Sequence, residues 1–173
     1  MWGIKTAEVP MKRLFVLVFL LSLVGCTGDK DRFTEFETEY APTMQDLTAL
    51  VKATDRNVKD YEAISLVEKC KSVSEKTCKS ALVLQEKANA LKDEEARKVA
   101  TTIANDINDA GKFSEELGAM YSYRSRPANE AVLPGHSRYE HIYDDILKAG
   151  ALRDLVDKIE TEHATLKGVM FRK

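Results

Sequence analysis

Residues 93–121 read DEEARKVATTIANDINDAGKFSEELGAMY. Within them Ala96, Val99, Ala100, Ile103, Ile107, Ala110, Leu117 and Tyr121 recur at intervals of three, four or seven. An α-helix turns once every ~3.6 residues, so this spacing gathers the apolar side chains on one face. The opposite face is left to acids, lysines and amides. The stretch also carries a start signal. Asp93 suits the N-cap, and Glu94 and Glu95 place negative charge at the positive end of the helix dipole. Such a helix needs neighbours to cover its apolar face.

The same periodicity extends outward in both directions. Upstream, Cys78, Ala81, Leu82, Leu84, Ala88 and Leu91 are expected to point inward from a second helix. That helix either breaks near Lys92 or runs on into the third as one rod; a four-helix bundle needs the break. Further upstream, Phe33, Phe36, Tyr40, Met44, Leu47, Val51, Val58 and Tyr61 form another stripe. Pro42 interrupts it, which predicts a kink or fresh start and a first long helix from about Thr43 to Lys71. Downstream, Pro127, Pro134 and Gly135 mark residues 122–137 as loop. Ser137 with Glu140 reads as a capping box, and Ile142, Ile146, Ala149, Leu152, Leu155, Val156, Ile159, His163 and Leu166 define a last helix. With only 8 glycines and 4 prolines and 31% charged residues, composition argues against a sandwich or barrel. The expected fold is all-α, an antiparallel bundle of about four helices over residues 33–173, with one intrachain disulfide. No period of 20 to 50 residues repeats.

The N-terminus reads differently. Met11-Lys12-Arg13 is a short basic start, followed by the apolar run Leu14-Phe15-Val16-Leu17-Val18-Phe19-Leu20-Leu21 and then by Ser22-Leu23-Val24-Gly25-Cys26. A basic segment, an apolar run of ~7–15 residues and a small residue before the cut make a secretory signal. The run is too short to span a bilayer, which takes ~20 apolar residues. Glu8 and Pro10 do not suit a signal n-region, which points to Met11 as the true start.

Leu23-Val24-Gly25-Cys26 resembles the lipobox of bacterial lipoprotein precursors. The resemblance covers residues 11–26 and does not extend to the domain that follows. It implies a signal peptide over 1–25, a diacylglyceryl group on the Cys26 thiol, cleavage before Cys26, and acylation of the new amino terminus in many species. Residues 26–32 would then be the lipidated cysteine and a polar tether. Thr27 follows the cysteine, and the first aspartate is Asp29, so in a two-membrane cell the outer membrane, facing the periplasm, is the expected address.

With Cys26 consumed by lipid, Cys70 and Cys78 remain in an oxidising compartment, and a disulfide between them is expected. Eight residues of continuous helix rise ~12 Å, whereas a disulfide needs Cα atoms within ~7 Å, so the bond demands a turn between them. Ser72 and Glu75 read as a capping box that would supply it.

The formal net charge is −2, and removal of residues 1–25 takes away three cations and one acid. An acidic remainder gives no electrostatic footprint for nucleic acid. Gly-rich phosphate loops, GxSxG and HExxH are absent from the sequence, and no cofactor is implied. Glu160-Thr161-Glu162-His163 contains one Glu-x-x-His, but the second copy that a di-iron bundle uses is missing. An ordinary charged helix with a partly buried His163 is the expected reading. Asp144-Asp145 and Glu115-Glu116 read as solvated faces.

The loop and its shoulders concentrate Tyr121, Tyr123, Arg124, Arg126, His136, Arg138 and Tyr139. Tyrosine and arginine are enriched at binding hot spots, so these residues are candidate partner contacts. Tyrosines packed on the bundle end and arginines capping helix C-termini are the alternative. The functional expectation is a non-catalytic accessory lipoprotein that holds, pilots or blocks an envelope protein, bound to the membrane through Cys26. A binding module for an envelope glycan, lipid or anionic ligand, and a phage or conjugation exclusion lipoprotein, are the other expectations.

Overall fold

Leu66, Cys70, Val73, Thr77, Ala81, Leu84, Ala88 and Leu91 follow one another at intervals of three and four with no missing step, and all are buried. That unbroken register carries a single helix straight through Ser72 and Glu75, both of which are exposed. The computed structural model describes residues 28–54, 58–125 and 138–172, with backbone alone at Asp60 and 138–143. It contains four helices: α1 (Asp29–Thr54), α2 (Asp60–Ala90), α3 (Glu94–Arg124) and α4 (Arg138–Met170). No strand occurs among the described residues. The helices alternate in direction around a ring, α1 against α2, α2 against α3, α3 against α4, and α4 back against α1. The all-α antiparallel bundle is as expected.

The expected disulfide is absent. Cys70 and Cys78 are free thiols on the same helix, Cys70 buried and Cys78 half-buried. Ser72 caps nothing, because the core stripe offers no interruption there. A capping box is a local preference, and a continuous buried face overrides it.

The first break lies further upstream than expected, so the predicted Thr43–Lys71 helix is two. The Thr54 hydroxyl turns back onto the Leu50 and Val51 carbonyls, at 3.1 and 3.2 Å. On the far side of the connection the Glu62 carboxylate accepts from the Lys59 N–H at 3.1 Å and so covers a free donor at the start of α2. Pro42, for its part, lies inside α1 rather than at its end. It sits on the exposed side, where the carbonyl it leaves unpaired one turn earlier can face water.

The α2–α3 turn is Leu91-Lys92-Asp93. Asp93 is the N-cap expected of it and accepts from the Ala96 N–H at 2.8 Å. The first turn of α1 secures the same corner. Asp29 accepts from the Lys92 and Asp93 N–H groups at 2.9 and 2.8 Å, and the Arg32 guanidinium donates to the Ala90 carbonyl. These backbone bonds, that to Lys92 first, hold the Asp29 carboxyl below its ordinary value. Residues 29–32 are therefore helical and docked, not part of a tether.

Phe33, Phe36, Tyr40, Met44, Leu47, Val51 and Val58 are buried as their spacing predicts, as are Ile103, Ile107, Leu117, Leu152, Val156, Ile159 and Leu166. Three apolar residues placed inward by sequence point out instead: Tyr61, Leu82 and Ile146, at 72%, 69% and 53% exposure. On α4 the buried register runs Asp145, Ala149, Leu152, Val156, Ile159. A carboxylate takes the first core position, so Ile146, one residue on, is turned outward. Asp145 is thus not the solvated acid expected.

Candidate interaction surface

The two ends of the bundle differ. One end holds the start of α1, the α2–α3 turn and the end of α4. The other holds the end of α1, the start of α2, the end of α3 and the start of α4. At this second end, Arg124 is 5% and Asp145 2% exposed. One guanidinium nitrogen donates to Asp145 Oδ2 and another to the Val58 carbonyl, each at 2.7 Å. Three segments are tied by one planar cation, which no shorter or single-headed donor could do.

The expected binding residues divide accordingly. Tyr121 is 1% exposed, and burial raises its phenol well above the usual range. Tyr121 and Arg124 thus face the interior. Tyr123 is half-buried in the last turn of α3. Arg138 and Tyr139 lie in the first turn of α4. Arg126 and His136 fall outside the described residues, as do Cys26 and the signal segment. The aromatic and basic residues therefore do not assemble as one exposed cluster among the described side chains. Among charged residues such as Lys59 and Asp144, this end also exposes large apolar side chains: Tyr61 and Ile64 on α2, at 72% and 64%, and Ile146 and Leu147 on α4, at 53% and 54%. Sequence reasoning placed Tyr61 and Ile146 in the core. Counting back from Ala149 by three reaches Ile146 and by four reaches Asp145, so the register alone does not choose between them, and hydropathy favours the wrong one.

Along one side, α2 and α3 approach closely through small residues. A Cβ on Gly111 would lie 2.6 Å from Cys78 Sγ, and one on Gly118 would lie 3.0 Å from Cys70 Cβ. A groove of about 470 Å³ runs beside this contact, lined by residues that include Val67, Lys71, Ser74, Cys78, Gly118 and Ala119. The signal was available in sequence, since Gly111 and Gly118 are one heptad apart and Cys70, Ser74 and Cys78 fall on α2 at helical spacing.

The α1–α4 seam is polar. His163 stacks on Tyr40, with ring centroids 3.9 Å apart, and pairs through Nε2 with the Glu37 carboxylate. Lys167 Nζ lies 3.7 Å from the other Glu37 oxygen. His163 is partly buried, as expected, and Glu160 of the Glu-x-x-His pair is exposed. Across α3 and α4, Lys158 donates to Asp106 at 2.7 Å and lies 3.5 Å from Glu162. Burial, and then the hydrogen bond shared with Asp106, raise the Glu162 carboxyl above its ordinary value. Among the described residues, no group of three or more His, Cys, Asp or Glu side chains could hold a metal ion.

No protein-family model matches this chain, and neither a curated protein nor a solved structure is similar enough to it to count as a match.

Proposed function

We propose that the mature protein is a lipid-anchored, envelope-exposed helical lipoprotein that acts on a protein partner rather than on a substrate. The supporting observation joins sequence to fold. The lipobox-like Leu23-Val24-Gly25-Cys26 lies immediately ahead of a bundle whose opposite end exposes Tyr61, Ile64, Ile146 and Leu147. Lipid on Cys26 provides the attachment, and these side chains provide area for a protein to cover, as aromatic and aliphatic anchors do at interface centres. In a cell with two membranes the reading places the anchor in the outer membrane, facing the periplasm.

The test is a crosslinked pull-down from solubilised membranes with wild type and with Tyr61→Ser/Ile64→Ser and Ile146→Ser/Leu147→Ser variants. Both pairs are exposed, so the variants should fold. One envelope protein captured by wild type and lost from either variant is the expected result. Equal recovery from all three would keep the role and move the site. Capture of no specific protein would overturn the reading.

The α2–α3 groove favours a second reading, a carrier of a small amphiphilic ligand, since Val67, Cys78, Gly118 and Ala119 line it together with the charged Lys71, Glu75 and Glu115. Native mass measurement of the purified protein distinguishes this reading by an added ligand mass.

A further inference from the structure

We propose that the end of the bundle built from the start of α1, the α2–α3 turn and Phe171 is seated on the phospholipid headgroup layer, so that the helices stand up from the membrane. This inference rests on lipidation of Cys26. Its geometry is set by chain length. α1 begins at Asp29, and the three peptide steps from Cys26 to Asp29 span at most roughly 11 Å. That is about the depth of the interfacial layer itself, so an acylated Cys26 leaves the bundle no room to stand away from the lipid.

The bundle end is also unable to yield length by unwinding at small cost. Asp29 accepts from two backbone N–H groups of the α2–α3 turn, and Arg32 donates to Ala90. Phe33 one turn later packs edge-on against Phe171, with ring centroids 5.7 Å apart. The first turn of α1 is therefore continuous with the rigid body.

The surface presented to the lipid suits the interface. Phe171 is 55% exposed, and the Lys30 ammonium lies 5.8 Å from its ring centroid. An aromatic ring flanked by a cation that can reach a phosphate is the pairing that settles at the boundary between headgroups and acyl chains. Lys30, Lys92 and Arg172 are offset by Asp31, Asp93, Glu94 and Glu95, so the face has no net positive charge to drive binding. Affinity must then come from the acyl chains, and the face determines orientation. α2, with 31 residues, rises ~46 Å, which carries Tyr61, Ile64, Ile146 and Leu147 to the far end, clear of the bilayer.

The experiment uses the acylated protein reconstituted into phosphatidylethanolamine–phosphatidylglycerol vesicles doped with brominated phosphatidylcholine. Trp2 lies in the segment removed at cleavage, so an introduced tryptophan is the single one in the mature chain, and red-edge excitation separates its emission from that of the tyrosines. Phe171→Trp and, independently, the exposed Lys92→Trp should shift to the blue and lose emission to the brominated lipid. Tyr61→Trp should do neither, and quenching at 171 should persist in high salt. Flotation with the vesicles but no more quenching at 171 and 92 than at 61 would overturn the orientation and leave the anchor standing. Failure to float, with no acyl mass on Cys26, would overturn the lipid reading and this inference with it.

Discussion

Cys78 Sγ fills the space that a side chain at Gly111 would need: a Cβ there would sit 2.6 Å from the sulfur and 3.4 Å from the Cys78 backbone nitrogen. The nitrogen is at ordinary contact distance, so the obstruction is the sulfur, which on its one-carbon stem has to turn away from its packed position or push the helices apart to admit a methyl group at 111. Alanine gains about 1 kcal/mol over glycine in a helix. Overpacking of a close contact costs ~1–3 kcal/mol and outweighs it. Gly111→Ala should lower the urea midpoint, and Cys78→Ala should restore most of the loss. At Gly150, where nothing lies within 4 Å of the added Cβ, the propensity gain stands alone and alanine should stabilise. Additive effects of Gly111→Ala and Cys78→Ala in a double-mutant cycle would refute the contact.

The same close approach explains why Cys70 and Cys78 are thiols. They act as small, apolar packing residues against Gly118 and Gly111, and continuous helix keeps them ~12 Å apart along the axis. Burial pushes the Cys70 thiol up to about 12 and suppresses the reactive thiolate. A maleimide should therefore label native protein first at Cys78, with Cys70 reacting after denaturation and without a reducing agent. A mass unchanged by the label until reduction would show a disulfide after all.

Arg124 and Asp145 form a buried pair, and loss of one partner removes the opposite charge that the other faces at 2.7 Å. Arg124→Ala or Asp145→Asn should cost on the order of 3–5 kcal/mol. Arg124→Lys should recover little, because a single ammonium cannot reproduce both the Asp145 and the Val58 bonds. The double Arg124→Leu/Asp145→Leu variant should be more stable than either single variant. Chemical denaturation of the four proteins checks this. Near-wild-type stability of Arg124→Ala would return that arginine to the list of surface contacts.

How legible the bundle was depended on what decided each feature. The α3 stripe and the Asp93 cap follow from local chemistry at one or two turns, and sequence reading located them, whereas a break near Lys92 and one continuous rod fit the sequence equally until Asp29 is seen to hold the turn. Misplaced features were decided by register or by distant partners. Ser72 and Glu75 imitate a helix start, but the buried run from Leu66 to Leu91 overrides them. Asp145 occupies a core position with its charge met by Arg124, 21 residues away. Asp29 looked like tether until the N–H groups of residues 92 and 93 gave it a function. For the candidate site, composition drew attention to Tyr121 and Arg124 because they are large and polar. Those properties serve the interior here, while the exposed set is one tyrosine and three aliphatics that lie off the core register.

Asp29 and Glu162 should bend the stability–pH profile in opposite directions. Hydrogen bonds from the N–H groups of residues 92 and 93 lower the Asp29 carboxyl below 3.8, so the folded state holds that proton less tightly than the unfolded chain. Its contribution is full above the ordinary aspartate value and is lost as pH falls below it. Asp29→Asn should therefore lower the urea midpoint at neutral pH and converge with wild type near pH 3 or below. Glu162 is the reverse. Burial and the Asp106 hydrogen bond raise its carboxyl above 4.5, so the folded state holds the proton more tightly. Stability then falls as pH rises from the ordinary glutamate value through the raised one, and the penalty persists above it. Glu162→Gln should be more stable than wild type at neutral pH, with the gain vanishing in acid. Urea midpoints from pH 3 to 8 test both. Parallel curves for wild type and Glu162→Gln would show that Lys158, 3.5 Å from Glu162 and 2.7 Å from Asp106, already neutralises the pair.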